Sequence, residues 1–134
     1  MPTIIRFEDI EAWKTARELT HMVYELTQHG EFARDTSLSD QMRRASVSIM
    51  SNIAEGFESR TQPLFIDYLG RAKASAGELR AQAYISMDIG YLNQIEFSQV
   101  YELCDKCSRQ IARFMQYLVQ QPKSIRDEGI NYNV

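Results

Sequence analysis

Apolar residues recur every three or four positions over most of the chain, and no run alternates with period two, so the pattern predicts helices rather than strands. Asp9 opens the first segment. Trp13, Ala16, Leu19, Val23 and Leu26 form its stripe, and Gly30 offers a left-handed stop. Residues 30–36, "GEFARDT", read as a short polar loop. The second segment starts near Thr36 or Ser37, with Asp40 placed to complete a Ser-x-x-acid cap. Its stripe is Leu38, Met42, Ala45, Ile49, Ile53 and Phe57, and Gly56 with "ESRTQP" ends it. Thr61 caps the third segment and Pro63 is tolerated in its first turn. That segment runs through Phe65, Tyr68, Leu69, Ala72, Ala76, Leu79 and Ala83 to Asp88, and Gly90 closes it. Asn93 caps the fourth, which carries Val100, Leu103, Cys107, Ile111, Phe114 and Leu118 until Pro122 stops it.

Four helices of roughly 20–28 residues, about 30–40 Å each, follow from these bounds. Short connections make neighbours antiparallel, which gives an all-α, up-down-up-down four-helix bundle over residues 1–122. Residues 123–134, "KSIRDEGINYNV", show no period and are expected to form a flexible C-terminal tail.

The second segment is apolar around an unusual share of its circumference. At about 100° per residue, Met42, Ala45, Ser46, Ile49, Ile53, Gly56 and Phe57 share one arc, and Val47, Met50 and Ala54 widen it to roughly 220°, against a stripe of ~100° for an ordinary bundle helix. Arg44, Ser48, Ser51 and Glu55 line the remaining side, with Asn52 at the boundary. One apolar face packs in the bundle; the second calls for another subunit, unless the helix lies at the centre of its own bundle. Ser48, Asn52 and Glu55 then form a polar seam that can fix register, and Val47, Met50 and Ala54 are candidate subunit contacts. The third segment is crowded with small residues in "RAKASAGELRAQA". There Gly77, unfavourable by about 1 kcal/mol against alanine, marks either a tight helix crossing or a tolerated glycine.

At 134 residues the chain is long enough for one domain with a real core. A net charge of −3 argues against a domain that grips nucleic acid by bulk positive charge, but leaves room for a local basic patch. No stretch is long and apolar enough to span a bilayer. "MPTIIRFEDIEAWK" carries no apolar signal core, so a cytoplasmic chain with free thiols at Cys104 and Cys107 is expected.

The residues suited to phosphate contact are Arg43, Arg44, Arg71, Lys73 and Arg80. The competing expectation is internal pairing, since folding the second and third segments about residue 60 brings Arg43 and Arg44 towards Glu78. Glu55 with Asn52 could be read as an acid and an orienting amide, but nothing beside them supplies a nucleophile or a metal, and a packing seam is the better reading. Cys104-Asp-Lys-Cys107 has half-zinc spacing with no second ligand pair, and fits core thiols. His21 and His29 lie eight residues apart, which reads as ordinary surface histidines. Phosphate-loop, nucleophile-elbow and metalloprotease motifs do not occur, so no catalytic residue, metal or cofactor is expected and enzymatic function has no positive support.

The stretches "FEDIEAWKTARELTHMVYELT", "QMRRASVSIMSNIAEGFES" and "KASAGELRAQAYISMDIGYL" resemble the four-helix bundle proteins encoded by intervening sequences of bacterial 23S rRNA genes. The resemblance covers most of residues 7–118 and is most specific at Arg43, Arg44, Ala45, Ser48, Ile49, Asn52, Ile53, Ala54, Glu55 and Gly56; Trp13, Arg17, Phe65, Ser75, Glu78 and Gly90-Tyr91 also fit. It implies a small antiparallel bundle that assembles as a homopentamer. It also implies kinship with accessory proteins of diversity-generating retroelements, pentameric barrels that associate with a reverse transcriptase and nucleic acid. Those relatives are usually basic, and this chain is acidic. The expectation is a non-catalytic, self-assembling scaffold or adaptor, with a retroelement-type accessory factor binding RNA or DNA as the alternative.

Overall fold

The computed structural model describes residues 3–121 and 132–133. Helices α1 (Glu11–Leu26), α2 (Gly30–Arg34), α3 (Thr36–Glu58), α4 (Gln62–Asp88) and α5 (Gln94–Val119) follow a short 3-10 turn at Phe7–Asp9. Two-residue strands β1 (Thr3–Ile4) and β2 (Tyr132–Asn133) pair antiparallel. The expected flexible tail thus falls mostly outside the described residues, as does Pro122.

The four long helices form an antiparallel bundle in which each packs on two neighbours, in the order α1–α3–α4–α5 and back to α1. Leu19, Ile49, Leu69 and Ile111, one from each long helix, are fully enclosed in the common core.

Several boundaries differ from expectation. Helix α1, at 16 residues, is shorter than the other three long helices and than the expected 20–28. Asp9 lies in the preceding 3-10 turn, where its Oδ2 accepts from the backbone N–H of Ile5 and Arg6. Residues 30–34 are a helix rather than a loop, because Phe32 is buried and stacks on Tyr91, 5.1 Å between ring centres. The cap of α3 is Asp35, one residue before the expected start, and its Oδ1 accepts from Leu38 N–H at 3.1 Å. Its Oδ2 accepts from the Tyr91 hydroxyl at 3.0 Å, which ties the start of α3 to the α4–α5 connection. The Thr61 cap holds as expected, and Asn93 makes a reciprocal capping box with Glu96. Gly90, at φ +87°, closes α4 and lets Tyr91 N–H reach back to Ser86 C=O at 2.8 Å.

Gly56, expected to help end α3, marks a tight helix crossing, and Gly77 is the tolerated glycine of its two expected alternatives. Gly56 does not stop α3, which continues to Glu58. It lies at a close approach of α3 and α4: a Cβ there would sit 2.7 Å from Tyr68 Cβ and 2.8 Å from Phe65 Cδ1. Gly77 marks no crossing within the chain, since a Cβ added to it meets nothing within 4 Å.

Candidate functional site

Helix α3 carries most of the residues that the sequence singled out, and the bundle sorts them onto opposite flanks. Towards α4, Ser48 and Ser75 hydroxyls lie 2.9 Å apart, and the Asn52 amide donates to Ser48 C=O at 2.8 Å and to Ser48 Oγ at 3.0 Å. Each of these side chains is half-buried, so the pairing offsets the cost of removing them from water. Ser48 and Asn52, two of the residues expected in a seam, thus meet Ser75 of a neighbouring helix in the same chain. Glu55 stands apart from them, exposed on the outer surface.

Towards α1, the wide apolar arc is partly used within the chain. Thr20 Oγ1 reaches Ser46 C=O at 3.2 Å, which holds the two helices close. Met50 and Ala54 are half-buried and Val47 remains 39% exposed. The breadth of the arc therefore has two sources: α3 serves two neighbours, and a remainder stays uncovered.

The five candidate phosphate contacts are not gathered into one patch. Arg43 turns to α1: its Nε donates to Thr27 Oγ1 at 2.8 Å, and its guanidinium carbon stands 4.6 Å from the centre of the Tyr24 ring. Thr27 in turn donates to Val23 C=O at 2.7 Å, so the hydroxyl is fixed on both sides. Arg71 pairs with Asp67 at 3.1 Å and lies over Tyr68. Arg80 reaches Asp105 on α5 at 4.0 Å and lies over Tyr101. Among the described residues neither Arg44 nor Lys73 has a carboxylate within ion-pair distance, and both are exposed. The expected pairing of Arg43 and Arg44 with Glu78 does not form; Glu78 accepts from Gln82 at 3.3 Å, while α1 offers Arg43 a hydroxyl and an aromatic face. Thr27 and Tyr24, which position Arg43, carried no signal in the sequence, because they are separated from it by the α1–α3 connection.

Cys104 and Cys107 are both buried, and burial pushes each thiol up to about 12, so both are protonated at neutral pH and pack as core thiols. Exposed His21 sits 3.3 Å from Glu25. Among the described residues no three His, Cys, Asp or Glu side chains converge as a metal site, and no helix is long and apolar enough to cross a membrane.

The fold and its seams define a small antiparallel helical bundle whose specific polar contacts are packing contacts between helices. The family model of the 23S rRNA-intervening sequence protein matches residues 8–113, and the chain belongs to that family. A solved structure of a protein of unknown function, from the S23 ribosomal protein family of Bacteroides thetaiotaomicron VPI-5482, superposes with a TM-score of 0.73 at 16% identity, covering 78% of this chain and 98% of that one. At that identity the likeness shows a shared fold. Comparison with the curated proteins finds no match.

Proposed function

We propose that the protein is a non-catalytic scaffold that assembles with copies of itself into a closed ring. The observation that carries this reading is that apolar residues are uncovered both on the α1–α3 side and near the α4–α5 turn; Ile5, Leu64 and Val119 are exposed as well, outside both patches. On the α1–α3 side, Tyr24 and Val47 are exposed beside half-buried Met50 and Ala54. On the α4–α5 side, Tyr84 leans on Phe97 at 4.9 Å yet stays exposed, and Ile85, Ile89 and Ile95 are uncovered around the turn, Ile95 to 70%. Two unlike patches suit a head-to-tail contact, which closes into a ring when the rotation permits. A two-fold dimer needs only one self-complementary patch. Five subunits is the number implied by the resemblance of the Arg43–Gly56 stretch to pentameric relatives. Free buried thiols suit a reducing cytoplasm.

Val47→Glu and Met50→Glu place a charge in one patch, and Ile85→Glu does so in the other. Each variant is expected to keep its helical circular dichroism and lose the large assembly. Mixing Val47→Glu with Ile85→Glu restores one intact contact, so the mixture should form a heterodimer and go no further. Variants that keep their assembly, or a mixture that stays monomeric, would contradict the head-to-tail reading.

The alternative, an accessory factor of a diversity-generating retroelement that binds RNA or DNA beside a reverse transcriptase, is favoured by one observation. Arg44 and Lys73 are exposed cations with no ion-pair partner among the described residues. Under that reading a single-stranded oligonucleotide binds at low salt, and binding weakens in Arg44→Gln with Lys73→Gln.

A further inference from the structure

The Arg43 contacts described above leave one end of that side chain unused. Its Nε is taken by Thr27 and its flat face by Tyr24, so the guanidinium cannot swing freely. Its two terminal nitrogens make no hydrogen bond to any described residue, and neither is among the buried atoms lacking a partner, so they face solvent. They do so in a cleft of about 560 Å³ on the outer surface between α1 and α3, lined by Tyr24, Asp40, Arg43, Arg44, Val47 and Ser48. Arg44 reaches the same cleft from the next position on α3, about 100° around the helix, so two guanidinium groups approach it from different directions.

We propose that this cleft is a binding site for a phosphate group. A phosphate carries up to two negative charges and presents oxygens in several directions, which suits two forks that approach from different angles. A carboxylate has fewer oxygens and a single charge to share between the two forks. Arg43 supplies the preorganised donor, because Thr27 and Tyr24 have already fixed its rotamer. Arg44 supplies the second charge. Asp40, one turn before Arg44, is the only carboxylate among the described residues lining the cleft and opposes the anion, holding the affinity below what two arginines alone would give. The cleft adjoins the uncovered α3 face and shares Val47 with it, so a bound phosphate would lie at the margin of a subunit contact.

The phosphate could belong to a free small molecule or to a nucleic-acid backbone; the second source rests on the accessory-factor reading, the first does not. The test is calorimetric titration of the full chain with inorganic phosphate at constant ionic strength set by chloride, and in parallel with a short single-stranded oligonucleotide. Saturable phosphate binding is expected. Arg44→Gln should weaken it roughly tenfold, and Asp40→Asn should strengthen it roughly threefold, the size of one weakly screened charge interaction. The gain in Asp40→Asn cannot arise from misfolding, so it decides the matter even if Arg44→Gln alters the solution mass. Arg43→Lys keeps the charge but loses the fixed fork, and should fall between wild type and Arg44→Gln. Phosphate binding without oligonucleotide binding upholds the site and removes the nucleic-acid reading. Oligonucleotide binding that answers to the same variants assigns the phosphate to a backbone. Heat that does not saturate with either probe, or affinity unmoved by both Arg44→Gln and Asp40→Asn, overturns the proposal.

Discussion

Phe65→Ala is expected to lower the unfolding free energy by about 3–5 kcal/mol, the largest effect of any single substitution considered for this bundle. The ring is fully enclosed near the α3–α4 turn. It meets Phe57 of α3 edge-on at 6.0 Å and Phe114 of α5 at 5.5 Å, so one side chain joins three helices. Truncation removes its buried surface, leaves a cavity, and breaks two ring pairs worth about 0.5–1.5 kcal/mol each beyond burial. Phe65 and its two partners stand on three separate helices, so the void cannot close without moving a backbone. Small domains hold only about 5–15 kcal/mol in all, so the loss should appear as a large fall in the urea midpoint at fixed protein concentration. The neighbouring Leu64 is 46% exposed, and Leu64→Ala should stay within about 0.5 kcal/mol of wild type. Equal effects from the two would mean that Phe65 does not join the helices as described.

The second large effect is a pair of opposite signs. Gly56→Ala should cost about 2 kcal/mol net of the helix propensity it gains, because the new methyl meets Tyr68 Cβ at 2.7 Å and Phe65 O at 3.3 Å. Neither atom can rotate aside: one is fixed to the α4 backbone and the other belongs to it. The helices must separate, or the register must shift. Gly77→Ala places the same methyl in open space on an exposed turn of α4, and should raise stability by about 0.5–1 kcal/mol. Chemical denaturation of the two variants side by side reads the sign directly. Destabilisation by Gly77→Ala would show that its surface is tightly covered in the assembly, and a neutral Gly56→Ala would deny the close crossing.

These two glycines also show where the sequence could and could not be read. Helix identity and the core stripe were legible because they depend on residues three and four apart. Caps at Thr61 and Asn93 were legible for the same reason, since each bonds an N–H three residues on. The cap of α3 was displaced by one residue, because Asp35, Thr36 and Ser37 all offer a suitable oxygen and only the backbone path of the connection selects Asp35. Phe32 was hidden in a polar stretch, since its partner Tyr91 lies beyond two long helices. Gly56 was visible as a glycine, but its purpose depends on the register of α3 against α4, which no local spacing encodes. The same holds for the candidate site. Ser48 and Asn52 were singled out by their position on the helical wheel, but their partner Ser75, on α4, was not. The anchoring of Arg43 by Thr27 and Tyr24 was not, because it is a tertiary contact across the α1–α3 connection.

The uncovered residues on the α1–α3 and α4–α5 sides cost little individually, and what gives them meaning is that they form two unlike patches. Solution mass by light scattering, over a concentration series reaching tens of micromolar, tests this most directly. The expected result is one species at a fixed multiple of the 15.5 kDa chain, five being the multiple implied by family resemblance, that persists on dilution. A monodisperse species of 15.5 kDa across the whole series would contradict the account.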